Sequence, residues 1–219
     1  MDKIKVTNVS HYYQDGVKKK RVLKDINVEF ETGKFYAILG ESGSGKTTML
    51  SLISGLDTYQ EGEITFNDKT VKEIGLNNYR LKYVNIIFQS YNLIPYMTAI
   101  ENVIIMMDIM KLKYKNKKER ALKILNSLGI DNDTASRTVL KLSGGEQQRV
   151  AIARSLVGDV PFIMADEPTG NLDEDTEEKI ISIFKDLVKK GKGVIVVTHS
   201  KKVAQNADVV LNIKGGDIK

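Results

Sequence analysis

Residues 40–47 read Gly-Glu-Ser-Gly-Ser-Gly-Lys-Thr, the spacing of a loop that wraps a polyphosphate. Glycines let backbone N–H groups curl around phosphate oxygens, and a helix that follows turns its positive N-terminal end toward the same charge. In that arrangement Lys46 reaches the β- and γ-phosphates and the Thr47 hydroxyl holds Mg²⁺. The motif carries this meaning only between a strand and a helix. Phe35 to Leu39 supplies an apolar run before it, and Thr48 to Gly55 reads as the helix after it.

Three more apolar runs end in groups that could do chemistry. Tyr83 to Phe88 stops at Gln89, Phe162 to Ala165 at Asp166-Glu167, and Val194 to Thr198 at His199. Continuous rather than alternating apolar character marks strands of a parallel sheet covered on both faces. Ligands of such sheets bind outside the carboxyl ends of the strands. A phosphate loop, a glutamine, two carboxylates and a histidine are therefore expected around one site. A lone Asp-Glu pair is as easily a helix cap or a solvated pair; its place after a buried strand favours metal and water. A metal-only role for His199 is a poor fit, because His11 is the sole other histidine and no zinc spacing exists. His11 reads as an ordinary surface or turn residue.

A second glycine motif, Leu142-Ser143-Gly144-Gly145-Glu146-Gln147-Gln148-Arg149, precedes a helical pattern with Val150, Ala153 and Leu156 on one side. Ser143 and Glu146 have capping-box spacing, and glycines at a helix start leave N–H groups open to an anion. Together with the continuation V-A-I-A-R-S-L, it resembles the signature of ABC ATPases. The blocks F-Q-S-Y-N-L-I-P from Phe88, T-A-I-E-N-V from Thr98 and M-A-D-E-P-T-G-N-L-D from Met164 are similar to one subfamily. Its members are the lipoprotein-release, macrolide-export, antimicrobial-peptide-resistance and cell-division ATPases. The resemblance covers essentially the whole chain.

This resemblance implies roles residue by residue. Gly40, Glu41, Ser42, Gly43, Ser44, Gly45, Lys46, Thr47 and Thr48 match the Walker A loop that binds ATP. Gln89 matches the glutamine that touches Mg²⁺ or the attacking water and senses the membrane partner. Asp166 matches the aspartate of the Mg²⁺ shell, held through water. Glu167 matches the carboxylate that polarises water, and His199 the histidine near the γ-phosphate. Asp173 matches the aspartate at a dimer seam. Ser143, Gly144, Gly145 and Glu146 would face the nucleotide of a second subunit. Tyr13 aligns with the aromatic that stacks on adenine, with Tyr12 as its rival. Departures are small: Glu41 stands where the subfamily often has proline, Glu146 where glutamine is commoner, and Ser200 where aspartate often follows the histidine. No catalytic group is lost.

The elements that must position these groups follow from the remaining pattern. Ile4 to Tyr13, Val22 to Phe30 and Gly62 to Val71 alternate as half-exposed antiparallel strands do. Between about Tyr91 and Ser143 the period turns helical, as at Ala121, Leu122, Leu125 and Leu128. The fold expected is α/β, of the P-loop NTPase type. It has a mainly parallel sheet core, an N-terminal antiparallel β subdomain and an inserted α-helical subdomain. The resemblance implies that residues 1–219 make a single ABC ATPase domain, with the catalytic core and antiparallel β subdomain in 1–90 and 144–219 and the helical subdomain in 91–143.

Bulk properties bound the function. The chain has 219 residues, 42% hydrophobic, and no cysteine, which excludes a disulfide framework and a thiolate metal site. Net charge is +5, from 33 Lys and Arg against 28 Asp and Glu, with clusters at Lys18 to Arg21 and from Lys111 to Arg120. Both read as solvated surface; without interleaved aromatics a nucleic-acid partner is not expected. No apolar h-region follows Met1-Asp2-Lys3-Ile4-Lys5, so no signal peptide is expected, and no run approaches the ~18 apolar residues of a membrane helix. Met97, Met106, Met107 and Met110 crowd the helical insertion, either as adaptable core or as a surface that docks a helix of a membrane subunit.

The resemblance therefore implies an ATPase using ATP and Mg²⁺, homodimeric on ATP binding. It would power a separate membrane permease from the cytoplasmic face of the membrane. Export of a peptide, drug or lipoprotein type substrate is the first expectation. The alternative is a non-transport complex regulating cell division or cell-wall hydrolases. ABC ATPases of DNA repair or translation carry long coiled coils or tandem cassettes, and neither occurs here.

Overall fold

Two long strands, β1 (Lys3–Asp15) and β2 (Lys18–Glu31), open the chain as an antiparallel pair in a computed structural model that describes residues 1–15, 18–170 and 172–218. The short strand β3 (Phe35–Leu39) leads through the glycine loop into α1 (Lys46–Ile53). Strands β4 (Glu61–Phe66) and β5 (Lys69–Thr70) then join the first sheet, whose order is β2-β1-β4-β5. Helices α2 (Val71–Ile74) and α3 (Leu76–Lys82) precede β6 (Val84–Ile87). A helical stretch follows: α4 (Ala99–Ile109), α5 (Lys117–Ser127), α6 (Asn132–Ala135) and α7 (Gly144–Ser155). The chain closes with β7 (Phe162–Asp166), α8 (Glu174–Lys189), β8 (Gly193–Thr198), α9 (Lys201–Gln205), β9 (Val209–Lys214) and β10 (Asp217–Ile218).

The second sheet has the order β10-β9-β3-β8-β7-β6. Every neighbouring pair from β9 to β6 is parallel, and only β10 runs against β9. Successive side chains on a strand point to opposite faces, and here each face has its own core. Phe35, Ile163, Ala165, Val194 and Val196 pack with α4, α5, α7 and α8. Tyr36, Ile38, Phe162, Met164, Ile195 and Val197 pack with α1 and the first sheet. Two covered faces explain why these strands are apolar throughout rather than at alternate positions. Each fully buried aliphatic or aromatic side chain contributes about 1.5–3 kcal/mol, so the strand ends that carry the polar groups are held by a rigid platform.

The helical stretch is fixed by local chemistry. At the start of α4, Thr98 accepts a bond from the Glu101 N–H while Glu101 accepts from the Thr98 N–H at 2.8 Å, a capping box that satisfies two otherwise orphaned donors. Asn102, completely buried, donates to the Ile94 and Thr98 carbonyls and accepts from the Ile94 N–H. This ties the segment after Gln89 to α4. Among the methionines, Met107 is core filler, while Met106 and Met110 are half-buried.

Some expectations need correcting. His11 is not a surface or turn residue: it lies in β1 and is 2% exposed, because its side chain turns inward under the segment that follows α1. The helix after the glycine loop starts at Lys46 rather than Thr48, since α1 needs no side-chain cap where the loop itself delivers the chain. The reading of a strand from Gly62 to Val71 breaks at Asn67, whose φ of 52° turns the chain, and Val71 opens α2. Of the basic cluster at Lys18 to Arg21, the Lys18 side chain lies outside the described residues. Arg21 is engaged internally, donating to Ser10 Oγ at 2.7 Å and Asp25 Oδ1 at 3.0 Å. No helix among the described residues is long and apolar enough to cross a membrane.

Candidate functional site

The glycine loop leaves β3 and enters α1 with Gly43 at φ 77° and Gly45 at φ 108°, backbone that side chains with a Cβ rarely adopt. Gly45 has a second reason to be glycine: a Cβ there would come within 2.9 Å of Leu23 Cδ2. It caps α1 without any side-chain bond, so the first-turn N–H groups of Lys46, Thr47 and Thr48 have no carbonyl behind them. The Lys46 side chain folds back over the loop, and its Nζ donates to the carbonyls of Gly40 at 2.8 Å and Glu41 at 3.1 Å. The result is a ring of donors with an ammonium above it.

Three neighbouring strand ends face this loop. Thr47 Oγ1 donates to Asp166 Oδ1 at 3.3 Å, which joins α1 to β7. Burial raises the Asp166 carboxyl above the usual carboxylate range. The Thr47 bond lowers it, the Glu167 charge raises it further, and Lys46 lowers it. A half-buried acid whose charge is under-compensated is suited to a cation, which would reverse the balance. The adjacent Glu167 sits at φ 46°, a left-handed conformation uncommon outside glycine. Its N–H donates to the Val197 carbonyl at 2.9 Å, and its side chain is only 12% exposed. Its Oε1 lies 2.9 Å from His199 Nδ1, and Oε2 accepts weakly from the His199 N–H at 3.4 Å. With the carboxylate as acceptor, this contact requires the hydrogen on Nδ1 and leaves Nε2 unengaged by Glu167.

One cleft of roughly 600 Å³ is walled by Gly40 to Gly43, Gly45 to Thr48, Tyr13, Val22, Gln89, Glu167 and His199; Asp166 is not part of that wall and joins it through its bond with Thr47. Tyr13, 44% exposed, belongs to this wall. Tyr12 turns the other way, bonding Glu61 and lying under the Arg21 guanidinium, as adjacent strand residues must. The donor ring, the ammonium, the paired hydroxyl and acid, and the aromatic wall fit a magnesium nucleotide from one end to the other.

Comparison with known proteins gives the same direction. The family described as ABC transporter matches residues 23–170. The chain belongs to the ABC transporter family. This ABC chain is 48% identical over 217 residues to the uncharacterized ABC transporter ATP-binding protein YclH of Bacillus subtilis, covering 99% of the chain and 95% of YclH. It is 37% identical to the macrolide export ATP-binding/permease protein MacB of Pasteurella multocida, where 98% of the chain matches 33% of MacB. Among solved structures it superposes with a TM-score of 0.91 at 37% identity on the dimeric structure of MJ0796, described as a bacterial ABC transporter cassette, covering 99% of this chain and 96% of that one. MJ0796 is a protein of Methanocaldococcus jannaschii. A second MJ0796 structure, of a post-hydrolysis state bound to ADP and Pi, superposes equally well at a TM-score of 0.91.

The remaining residues expected at the site stand apart from the cleft of this ABC chain. Ser143 caps α7: its N–H and Oγ donate to Glu146 Oε2 at 2.7 and 2.9 Å, and Glu146 N–H returns to Ser143 Oγ at 3.3 Å. Asp173 caps α8, accepting from Thr176 N–H at 2.9 Å and Thr176 Oγ1 at 2.8 Å. That backbone bond holds its carboxyl below the usual range. The two caps are neighbours, since a Cβ on Gly145 would meet Thr176 Cγ2 at 2.7 Å. Ser44 turns its buried, unpartnered hydroxyl behind the loop rather than into the cleft. Asn171, within the block from Met164, lies outside the described residues. Val22 was not foreseen as a wall residue, and an isolated strand valine carries no signal that could have found it.

Proposed function

We propose that the chain is the ATP-binding and ATP-hydrolysing subunit of an ABC transporter, driving export of a peptide, drug or lipoprotein type substrate through a separate membrane permease. The observation that carries this reading is the convergence of the Lys46 loop, Thr47 and the Glu167–His199 pair on a single cleft, with Asp166 bonded to it through Thr47 Oγ1. Loop N–H groups and Lys46 grip the polyphosphate, and Tyr13 offers a face to adenine. Thr47, Gln89 and Asp166 would hold Mg²⁺, Asp166 through water. When bound, Mg²⁺ neutralises charge on the phosphates.

For the reaction ATP + H₂O → ADP + Pᵢ, Glu167 orients the water and accepts its proton. The Nδ1 bond fixes the His199 ring, so that Nε2 can serve the γ-phosphate end. Left-handed backbone at Glu167 is strain of a kind that concentrates at working sites. Ser143, Gly144, Gly145 and Glu146 lie outside the cleft and would complete the site of a second copy, with Asp173 at the seam. One loop and one signature per chain give a two-fold, isologous dimer. The YclH and MacB names and the dimeric MJ0796 cassette support this reading.

The permease would dock beside residues 91–143, taken as a helical subdomain. There a groove is lined by Leu81, Phe88, Met106 and Ile109, together with Arg80 and Arg154. Ile109 is 58% exposed, a large apolar residue in a concave surface. Held there, the chain would be peripheral to the cytoplasmic face of the cell membrane.

The direct test is phosphate release by the purified chain. Magnesium-dependent turnover of ATP is expected, rising when the membrane subunit is present. No hydrolysis with or without that subunit would refute the reading. Met106→Ser is expected to weaken copurification with the permease; intact assembly would remove the docking part alone.

A further inference from the structure

His11 is a buried ring without a hydrogen bond among the described residues. Only 2% of its surface is exposed, and neither Nδ1 nor Nε2 has a hydrogen-bond partner there. Asp57 Oδ2 stands 3.9 Å from its Nε2. Asp57 is itself fixed in the turn after α1, where its N–H donates to the Ser51 carbonyl at 3.1 Å and its Oδ1 accepts from Thr58 N–H at 2.7 Å. A polar ring kept dry without bonds costs stability, so its place calls for a compensating contact.

That contact is Tyr13. The two rings are 4.7 Å apart at 78°, an edge-to-face pair of the geometry aromatic quadrupoles favour. The other side-chain contact of Tyr13 among the described residues is at its tip, where its hydroxyl lies 3.4 Å from Thr48 Oγ1. The tyrosine thus touches the phosphate loop at one end and His11 along its ring.

We propose that His11 is a positioning residue for the nucleobase. It sets the angle of the Tyr13 ring from behind, and so contributes to the affinity for the base but not for the phosphates. The inference rests on the nucleotide reading above. Without His11 the Tyr13 ring would be free to rotate about its tip contact, and the order lost would be recovered only on binding.

Two probes separate this role from a general structural one: MgATP, and magnesium tripolyphosphate, which has no base. Their affinities would be measured calorimetrically on the full chain. His11→Leu keeps similar volume but removes the ring. It is expected to weaken MgATP binding by about two- to tenfold, the scale of an edge-to-face pair, while leaving tripolyphosphate within twofold. His11→Phe restores the ring and should restore MgATP affinity. In a Tyr13→Ala background, His11→Leu should add nothing. Equal weakening of both probes, unchanged MgATP affinity in His11→Leu, or additivity with Tyr13→Ala would overturn the proposal. If the unmodified chain binds neither probe, the nucleotide reading itself falls and this inference with it.

Discussion

His199 Nδ1 lies 2.9 Å from Glu167 Oε1 across the ends of two parallel strands. The contact is a consequence of sheet register: Asp166 of β7 pairs with Val197 of β8, so the residues just beyond each strand meet. Glu167→Gln keeps size and a bonding oxygen but removes the proton acceptor. Turnover is expected to fall by about 10²–10⁴-fold, with nucleotide affinity kept and a dimer stable in ATP. Phosphate release and size-exclusion chromatography with saturating ATP would check this. A variant that is monomeric under those conditions would count against the composite site.

Asp166 gives a prediction about stability and pH. Its raised carboxyl holds a proton to higher pH in the folded chain than in the unfolded one, so stability declines as pH rises through that window. Above the window the buried charge is a standing cost in the absence of a cation. Asp166→Asn should therefore raise the melting temperature of the nucleotide- and magnesium-free protein at neutral pH. The advantage should shrink as pH falls toward the normal carboxylate range. Thermal denaturation across pH decides it, and an asparagine variant that melts lower at neutral pH would contradict the argument.

Gly193 opens β8 against β7, where a Cβ would come within 2.4 Å of Phe162 Cε1. Phe162 is fully buried and has no room to withdraw. Gly193→Ala should destabilise the fold by about 1–3 kcal/mol, as overpacking does, with little change in MgATP affinity measured at low temperature. Urea denaturation gives the first quantity. Unchanged stability would mean that the sheet yields more readily than its packing implies.

Much of this was legible in the residues because the site is built from sheet ends. Runs such as Phe162 to Ala165 announce a strand covered on both faces, and a polar group directly after one has few other reasons to be there. Strand β9 escaped because it is half-exposed and alternating, so that its polar residues Asn212 and Lys214 fall within the strand rather than directly after a continuous apolar run. His11 was misjudged for a different reason. A single histidine between polar neighbours carries no periodic signal, and its burial is imposed by the turn after α1, distant in sequence. Which of Tyr12 and Tyr13 faces the cleft is likewise not legible in the sequence, because strand phase, which puts the Tyr13 ring in the cleft wall and the Tyr12 ring under Arg21, depends on the register of β1.

The central claim is that loop N–H groups and the Lys46 ammonium hold the polyphosphate. It is tested most directly by calorimetric titration of the purified chain and its Lys46→Ala variant with MgATP. Each charge-assisted bond lost is worth about 1.5–3 kcal/mol, so affinity should drop about ten- to a hundredfold per bond, and the unmodified chain should bind more weakly once magnesium is chelated. Equal affinities for the two proteins, or binding indifferent to magnesium, would contradict it.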